Sequence, residues 1–409
     1  MTTSESENQP GTPRLLRAMN ERGLLEHLRR NGPLSRAQLA RETGLSKPTV
    51  SQALANLERA GLVRPIGQVS PEGGGRQAIL YEPDPTAGYV VGVDIGRSWV
   101  RVAVADFAGT IVSRREEQNQ ATSAEALVEM ATELAHHTVE AAGFTWSQVV
   151  HTVIGTPGVF HPPTESLLFA SNLPDWGRSG LVEMLRSALG PSLTVDNDAN
   201  LAALGEQTCG SGAGVGTFVF LTVGTGIGMG IVIDGALYRG THGAGGEVGF
   251  LPLGAPETAS LTAGNSASYR GMLEEVASAE GIVHTAQSLG MRPPLSARQI
   301  FDAARGGDKL ALAVVEREGQ YLALAVASVA AILDPELVVL GGGIGRNVDL
   351  LRGPLERRLS EITPLRPRIV ASELGENAVL LGAISTALAV ARDLVFQQRA
   401  GDGRIRVTS

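Results

Sequence analysis

Two short helices separated by a tight turn are predicted near the front of the chain, and this segment constrains the fold more than any other. Ser35 precedes the first amphipathic run, Gly44 interrupts the pattern, and Ser46 precedes the second run. Serine is a preferred N-cap, glycine ends helices in the left-handed conformation, and Pro48 is tolerated in a first turn. The second helix is expected to bury one apolar stripe, formed by Val50, Leu54 and Leu57.

The opposite face of that second helix is polar, and we expect it to meet DNA. Amides and hydroxyls near a helix start suit the base edges and phosphates of a major groove. A preceding helix is predicted over residues 13–30, and a β-hairpin wing is predicted from strand-like runs at 62–66 and 77–81. The candidate DNA contacts are Ser46, Lys47, Thr49, Ser51, Gln52, Asn56 and, from the wing into a minor groove, Arg76. A helical module for protein contact is the alternative.

Length and composition bound the remaining possibilities. The 409 residues are 43% hydrophobic and 19% charged, which indicates two or three globular domains. Residues 1–10 are expected to be disordered. The sequence shows no uninterrupted apolar span and no basic leader before an apolar run, so we expect a cytoplasmic protein without a membrane segment. The single cysteine, Cys209, excludes an internal disulfide.

Charge is divided unevenly along the chain. The net charge is −8, but residues 1–85 carry +2 and residues 86–409 carry −10. Phosphate contact is therefore expected only at the front. Because the local charge is modest, affinity for DNA should depend on a few placed contacts and on doubling the site by dimerisation.

An α/β body is predicted behind a linker at residues 82–88, whose prolines disfavour helix and central strand. The predicted elements are strands at 89–96, 98–106, 110–114 and 149–155 and a helix at about 123–142. Two glycine-rich turns, at residues 221–230 and 340–345, offer backbone amides that suit phosphate groups. Tight turns without a ligand are the alternative for each.

Several motifs, in order, make the body resemble the ROK family of repressors, open reading frames and kinases, and the front resembles that family's repressor branch. The motifs are Asp94-x-Gly96-x-Ser98, Gly155-Thr156-Pro157-Gly158, Asn172-Leu173-Pro174-x-Trp176, the run from Val195 to Glu206, the loop Thr222 to Gly230, Gly246-Glu247-Val248-Gly249, and the run from Leu333 to Gly343. The resemblance implies a two-lobed actin-like ATPase fold of sugar kinase type. It divides the chain into a winged helix-turn-helix domain at 1–85, a first lobe at 86–198 plus a helix at about 379–398, and a second lobe at 199–378.

The same resemblance implies a sugar site and a nucleotide site in the interlobe cleft. The implied sugar-site residues are Asn172, Asn197, Asp198, Glu247 and Glu274, with Asp198 as the catalytic base of a kinase. The implied nucleotide residues, which are vestigial if activity is lost, are Asp94, Gly96, Ser98, Gly224, Thr225, Gly226, Gly342 and Gly343. Capping of the following helix is the purely structural alternative for Asn197 and Asp198.

Departures from the kinase pattern are equally informative. Arg97 replaces the second glycine of the first phosphate loop, and Phe250 replaces the histidine that holds zinc and touches sugar in kinases of this family. Residues 251–273 contain no cysteine, so the family zinc site is not expected to form and no metal is assigned. We expect a ligand that is less hydroxylated or modified. His242 is a further candidate ligand contact, with a structural role as its alternative.

These observations predict a sugar-responsive transcriptional regulator, most simply a repressor. Its partners are expected to be an inverted-repeat operator, a carbohydrate effector and further copies of itself in a homodimer or homotetramer. No cofactor is required for that function. An ATP- and magnesium-dependent sugar kinase with an appended DNA-binding domain is the alternative, and a DNA binder with an inactive pocket is a third reading.

Overall fold

The computed structural model describes residues 13–69, 77–161, 163–170, 173–253 and 271–400. The front domain holds three helices and three strands within this range. They are α1 (Pro13–Asn31), β1 (Leu34–Ser35), α2 (Arg36–Thr43), α3 (Lys47–Arg59), β2 (Val63–Val69) and β3 (Ala78–Pro83). The strands form an antiparallel sheet in the order β1-β3-β2. The tip of the predicted wing, with Arg76, lies outside the described residues.

The helix-turn-helix forms for the local reasons that the sequence indicates. Ser35 and Gln38 make a reciprocal capping box at the start of α2, and Gly44 ends that helix in the left-handed conformation at φ 72°. The hydroxyl of Ser46 accepts the backbone N–H of Thr49, 3.3 Å away, and so caps α3. The predicted stripe of Val50, Leu54 and Leu57 is fully buried.

The predicted linker at residues 82–88 is ordered, and the expectation that its prolines exclude helix and central strand is wrong. Pro83 still pairs with Val63 at the end of β3, and a 3₁₀ helix follows at Pro85–Ala87, capped by Asp84. Ala87 is buried. Proline is acceptable at the end of a strand and in the first turn of a helix, and both positions occur here.

The body contains two sheets that share one arrangement: a three-stranded antiparallel meander followed by two parallel strands. In the first sheet the order is β10-β7-β4-β5-β6. Its strands are β4 (Tyr89–Ile95), β5 (Trp99–Asp106), β6 (Ile111–Gln118), β7 (Val149–Thr156) and β10 (Leu193–Asn197), and a separate hairpin is formed by β8 (Val159–His161) and β9 (Ser166–Leu168). All of β4 is buried because α4 (Ala124–Ala141) and α5 (Leu181–Leu189) cover one face of this sheet and α13 (Ala378–Arg399) the other.

The second sheet has the order β13-β12-β11-β14-β15. Its strands are β11 (Phe218–Val223), β12 (Ile227–Ile233), β13 (Ala236–Tyr238), β14 (Leu337–Gly341) and β15 (Arg368–Ala371). The associated helices are α6 (Asp198–Cys209), α7 (Met272–Ala277), α8 (Ala279–Ser288), α9 (Ala297–Arg305), α10 (Lys309–Leu333), α11 (Gly342–Gly345) and α12 (Val348–Ile362). The predicted residue boundaries of the two lobes stay a prediction.

Helices α6 and α13 cross between the sheets at very short range. A Cβ atom added at Gly382 would lie 1.7 Å from the carbonyl oxygen of Leu201, so only glycine fits there. By length and composition, one helix among the described residues, Gly375–Arg399, is apolar enough to cross a membrane, and half of its most apolar window is buried. Since α13 packs against β4 and β7, it serves in this fold as a core helix.

Candidate functional site

A cavity of about 720 Å³ lies between the two sheets, where the strand ends and glycine turns of both lobes meet. The structure brings most of the predicted ligand residues together around it. The predicted residues that line the cavity are Asp94, Gly96, Ser98, Asn197, Asp198, Gly224, Thr225, Gly226, Glu247, Glu274, Gly342 and Gly343. Asn172 lies outside the described residues.

Three carboxylates form the acidic end of this cavity. Burial raises the pKa of Asp198. Burial, together with the nearby charges of Asp198 and Glu274, raises the pKa of Glu247 to about 7. Carboxylates accept hydrogen bonds from hydroxyl groups, and a neutral carboxyl also donates one, so this end suits a polyol.

Asn197 combines a structural role with a position in the cavity wall. Its Oδ1 accepts the backbone N–H groups of Ala199 at 2.9 Å and Asn200 at 3.2 Å and so caps α6. Its Nδ2 donates to the carbonyl oxygen of Gly158 at 3.1 Å. The capping role that was the alternative for Asn197 is therefore present, and one N–H of the amide is left over for a ligand.

Two predicted ligand residues do not line the cavity. His242 is exposed in the segment after β13. Phe250 ends a 3₁₀ helix, Val248–Phe250, and its ring meets that of Phe169 edge-on with centroids 5.4 Å apart. Phe169 does line the cavity, and sequence reasoning missed it because an aromatic residue after a short strand resembles any core residue.

A chain of alternating charges also lies at the cavity. Arg101 contacts Asp94 at 3.2 Å and Glu376 at 3.0 Å, and Glu376 contacts Arg346 at 3.0 Å. Burial raises the pKa of Asp94 to about 7, although the guanidinium of Arg101 acts in the opposite direction. Because Arg101 lies in the first sheet and Arg346 follows α11, Glu376 joins the two lobes just before α13 begins.

The two glycine turns in the cavity wall approach each other closely. Gly342 has φ 79°, and a Cβ atom there would lie 2.4 Å from the carbonyl oxygen of Val223. Only glycine satisfies both constraints. The N–H of Gly224 is already used within its own turn, where it donates to the carbonyl oxygen of Gly226 at 2.9 Å. A role for the other backbone amides of these two turns in holding nucleotide phosphates stays a prediction.

The predicted absence of the family zinc site stays a prediction. Among the described residues, no group of three or more histidine, cysteine, aspartate or glutamate side chains is arranged to hold a metal ion. At the position of the kinase histidine, the ring of Phe250 supplies no ligand atom.

The candidate DNA contacts on α3 differ in exposure and in their hydrogen bonds within the domain. Lys47 and Gln52 are exposed. Asn56 is held inside the domain, because its Nδ2 donates to the buried carboxylate of Glu21 at 2.6 Å and its Oδ1 accepts from Gln52 at 3.0 Å. Ser46 is committed to the cap, Thr49 and Ser51 are half-buried, and Arg76 is not described.

Helix α13 joins the cavity to the DNA-binding domain. Its residue Val379 lines the cavity, whereas Asp393, nearly four turns further on, contacts Arg22 of α1 at 2.6 Å. Leu24 and Leu28 of α1 share a continuous apolar core with the end of α13. A long, unbroken helix therefore touches both sites.

Comparison with known proteins assigns the family. Residues 90–390 match the ROK family, and residues 15–77 match the MarR family. The chain belongs to the ROK family. These matches confirm the predicted winged helix-turn-helix domain followed by an actin-like body of sugar kinase type.

ROK relatives include both repressors and kinases. The xylose repressor of Bacillus spizizenii is 26% identical over 386 residues, covering 93% of this chain and 97% of the relative. The glucokinase of Thermotoga maritima is 34% identical over 318 residues, covering 72% of this chain and 96% of the relative.

Solved ROK structures agree with the architecture. A ROK family transcriptional regulator described as a homologue of E. coli MLC protein superimposes with a TM-score of 0.76 over 95% of this chain and 100% of its own, at 22% identity. A ROK family glucokinase from Streptomyces griseus, solved with glucose and AMPPNP, gives a TM-score of 0.63 at 28% identity over 75% of this chain and 100% of its own.

Proposed function

We propose that this ROK protein is a cytoplasmic, sugar-responsive transcriptional repressor that releases its operator when a carbohydrate enters the interlobe cavity. The observation that carries the proposal is α13, which lines the cavity at Val379 and contacts the DNA-binding domain at Asp393. The likeness to a xylose repressor along almost the whole chain supports it.

A route from the cavity to DNA follows from the contacts. Glu376 is bound to both lobes immediately before α13, so a change in the angle between the lobes must alter one of its ion pairs. The start of α13 then moves, and α1 moves with its far end. A sugar drives this change only to the extent that it binds the two arrangements with unequal affinity.

Operator recognition is proposed to require at least a homodimer. A single α3 with few exposed polar side chains and a front-domain charge of +2 gives weak binding alone. Two recognition helices one helical turn apart, about 34–36 Å, would read an inverted repeat. A footprint on a single unrepeated site would contradict the dimer.

The decisive experiment measures operator affinity with and without sugars. The full-length protein is titrated by fluorescence anisotropy onto an operator selected from random DNA sequences, across a panel of hexoses, pentoses and amino sugars. We expect one sugar class to weaken binding at least about fivefold, a typical size of allosteric coupling. Asp198→Asn should keep operator binding and lose the response, whereas Glu361→Gln, an exposed carboxylate on α12, should keep both. A response to no sugar would refute the proposal.

A sugar kinase is the second candidate function, favoured by the position of Asp198 in an open cavity that also contains Gly342. A bound magnesium nucleotide would supply the phosphoryl group, and Asp198 would accept the proton of the attacking sugar hydroxyl. Coupled assays with ATP, magnesium and the same sugars decide. Turnover that Asp198→Asn abolishes would establish the kinase, and its absence would favour a regulator that needs no cofactor.

A further inference from the structure

We infer that Arg239 is a positioning residue for the ligand site, because it ties the segment that carries Glu247 to the strand that leads into Asp198. The inference rests on the proposed function and concerns how its ligand site is held together. Arg239 follows β13 of the second sheet, whereas Asp198 begins α6 directly after β10 of the first sheet. Arg239 itself does not line the cavity, so its effect on a ligand passes through residues that do.

The side chain of Arg239 makes an ion pair between the two sheets. Its Nη2 donates to Oδ2 of Asp196 at 2.6 Å, and Asp196 belongs to β10. The side chain of Asp196 is only 10% exposed, and that of Arg239 is 48% exposed. A carboxylate with so little access to water depends on its protein partners. Loss of the guanidinium would therefore leave a poorly solvated charge in β10.

The other oxygen of the Asp196 carboxylate holds the start of α6. This Oδ1 accepts the backbone N–H of Asn197 at 2.8 Å and a side-chain N–H of Asn200 at 3.3 Å. Asn197 and the next residue, Asp198, both line the cavity. One carboxylate therefore connects Arg239, after the second sheet's edge strand, to the ligand groups that follow β10.

The backbone of Arg239 holds the segment that carries Glu247. Its carbonyl oxygen accepts the N–H of Gly245 at 2.9 Å, and a Cβ atom on Gly245 would lie 2.9 Å from the carbonyl carbon of Arg239. Gly246 has φ 98°, and a Cβ atom there would lie 1.9 Å from the carbonyl oxygen of Met229 in β12. Only glycine fits this packing. Glu247, the next residue, therefore reaches the cavity from a segment that is fixed at Arg239 and against β12.

The pKa of Glu247 reports how this arrangement is held. Burial raises that pKa to about 7, and the charges of Asp198 and of Glu274 on α7 act in the same direction. Without the ion pair of Arg239 the carboxyl groups move apart and water reaches Glu247, and both changes lower its pKa. Loss of the positive charge alone would raise the pKa, because a nearby cation favours the ionised carboxylate. The direction of the change therefore distinguishes positioning from a simple charge effect.

Titration of Glu247 in the sugar-free, full-length protein tests the inference. Glutamate carboxyl groups are isotope-labelled and followed by carbon NMR, and the resonance of Glu247 is assigned by its absence from Glu247→Gln. We expect Arg239→Ala to move the midpoint from about 7 toward the usual 4.5. Arg239→Lys, which keeps the charge, should move it less. Arg357→Ala is the matched control, since Arg357 donates to Glu316 at the same 2.6 Å outside the cavity, and it should leave the midpoint unchanged.

A midpoint in Arg239→Ala that rises, or that falls no further than in Arg357→Ala, would overturn the inference. If Arg239→Ala does not fold, Arg239→Lys decides by the same comparison.

Sugar binding is a second measurement, and it separates this inference from the proposed function. Calorimetry with D-glucose and D-xylose compares the unmodified protein with both Arg239 variants. We expect Arg239→Ala to weaken binding of whichever probe binds on the order of tenfold, and Arg239→Lys to restore part of the affinity. Unchanged affinity in Arg239→Ala would overturn the inference, and the proposed function would stand if that sugar still releases the operator. If neither probe binds, the titration of Glu247 alone decides the inference. If no sugar of the panel releases the operator, the proposed function fails whatever the result for Arg239.

Discussion

The guanidinium of Arg22 in the DNA-binding domain lies 2.6 Å from the carboxylate of Asp393 near the end of α13. Both side chains are about half exposed, so the pair adds at most about 1 kcal/mol to stability. Its position matters more than its energy. It lies near the end of the helix that begins beside the cavity, and it is a polar contact between α13 and α1 beside the apolar core that these helices share.

Charge reversal at this pair should uncouple effector from operator without unfolding the protein. We expect Asp393→Arg to reduce the sugar-induced change in operator affinity several-fold, and Arg22→Asp together with Asp393→Arg to restore part of it. Operator titrations with and without sugar measure the effect. The control reverses Arg357 and Glu316, an exposed pair with the same 2.6 Å separation on α12 and α10. If Asp393→Arg and this control behave alike, α13 does not carry the signal.

Substitutions on α3 should separate base reading from domain stability. Gln52 is exposed, so Gln52→Ala should weaken operator binding by about 1–3 kcal/mol and relax the preference at one base pair. Asn56→Ala leaves the buried carboxylate of Glu21 without its amide partner and should instead lower the stability of the domain by about 1–3 kcal/mol. Selection of operator sequences and thermal unfolding measure the two effects. If Asn56→Ala changed the base preference and left the stability unchanged, the assignment of Asn56 to domain stability would be wrong.

The sequence was sufficient to predict features that depend on local chemistry. The caps at Ser35 and Ser46, the turn at Gly44 and the buried strand β4 all follow from residue preferences within a few positions. The family motifs also predicted most of the residues that line the cavity, because each motif is a short local pattern at a strand end or a turn.

Long-range pairings could not be predicted in this way. Arg101 meets Glu376 across 275 positions, and Arg22 meets Asp393 across 371. Nothing in the local pattern around either residue indicates its partner. The ordered connection at Pro85–Ala87 was also missed, because proline signals a break while its actual positions are compatible with a strand end and a helix start.

Effector affinity should rise with pH. The pKa of Glu247 is about 7 in the free protein, and sugar hydroxyls donate to the ionised carboxylate more strongly than to the neutral one. Binding should therefore lower this pKa and release protons near neutrality. We expect the affinity to increase up to about tenfold between pH 6 and pH 8 in calorimetric titrations. Glu247→Gln should flatten the dependence, whereas Glu361→Gln should not. An affinity that falls with pH would contradict this role for Glu247.

Glu318 should make the protein less stable as pH rises. Its side chain in α10 is 2% exposed, and its Oε1 has no hydrogen-bond partner among the residues that the structure describes. Burial raises the pKa of Glu318 well above its usual value of 4.5, so the folded protein keeps a proton that the unfolded chain loses. The contribution of neutral Glu318 to stability is therefore complete below about pH 4.5 and is lost progressively as pH rises toward the folded pKa, by up to about 1.4 kcal/mol per pH unit.

Glu318→Gln removes the titrating group while keeping its size, so we expect the fall in stability between pH 5 and pH 8 to become shallower than in the unmodified protein. Chemical unfolding at several pH values measures the difference between the two slopes. Glu316→Gln, two residues away and 42% exposed, is the matched control and should retain the original slope. Because Asp94 and Glu247 also have raised pKa values, some pH dependence should persist in Glu318→Gln. Identical slopes in all three proteins would show that Glu318 is ionised in the fold, which would require a partner or water beside its Oε1.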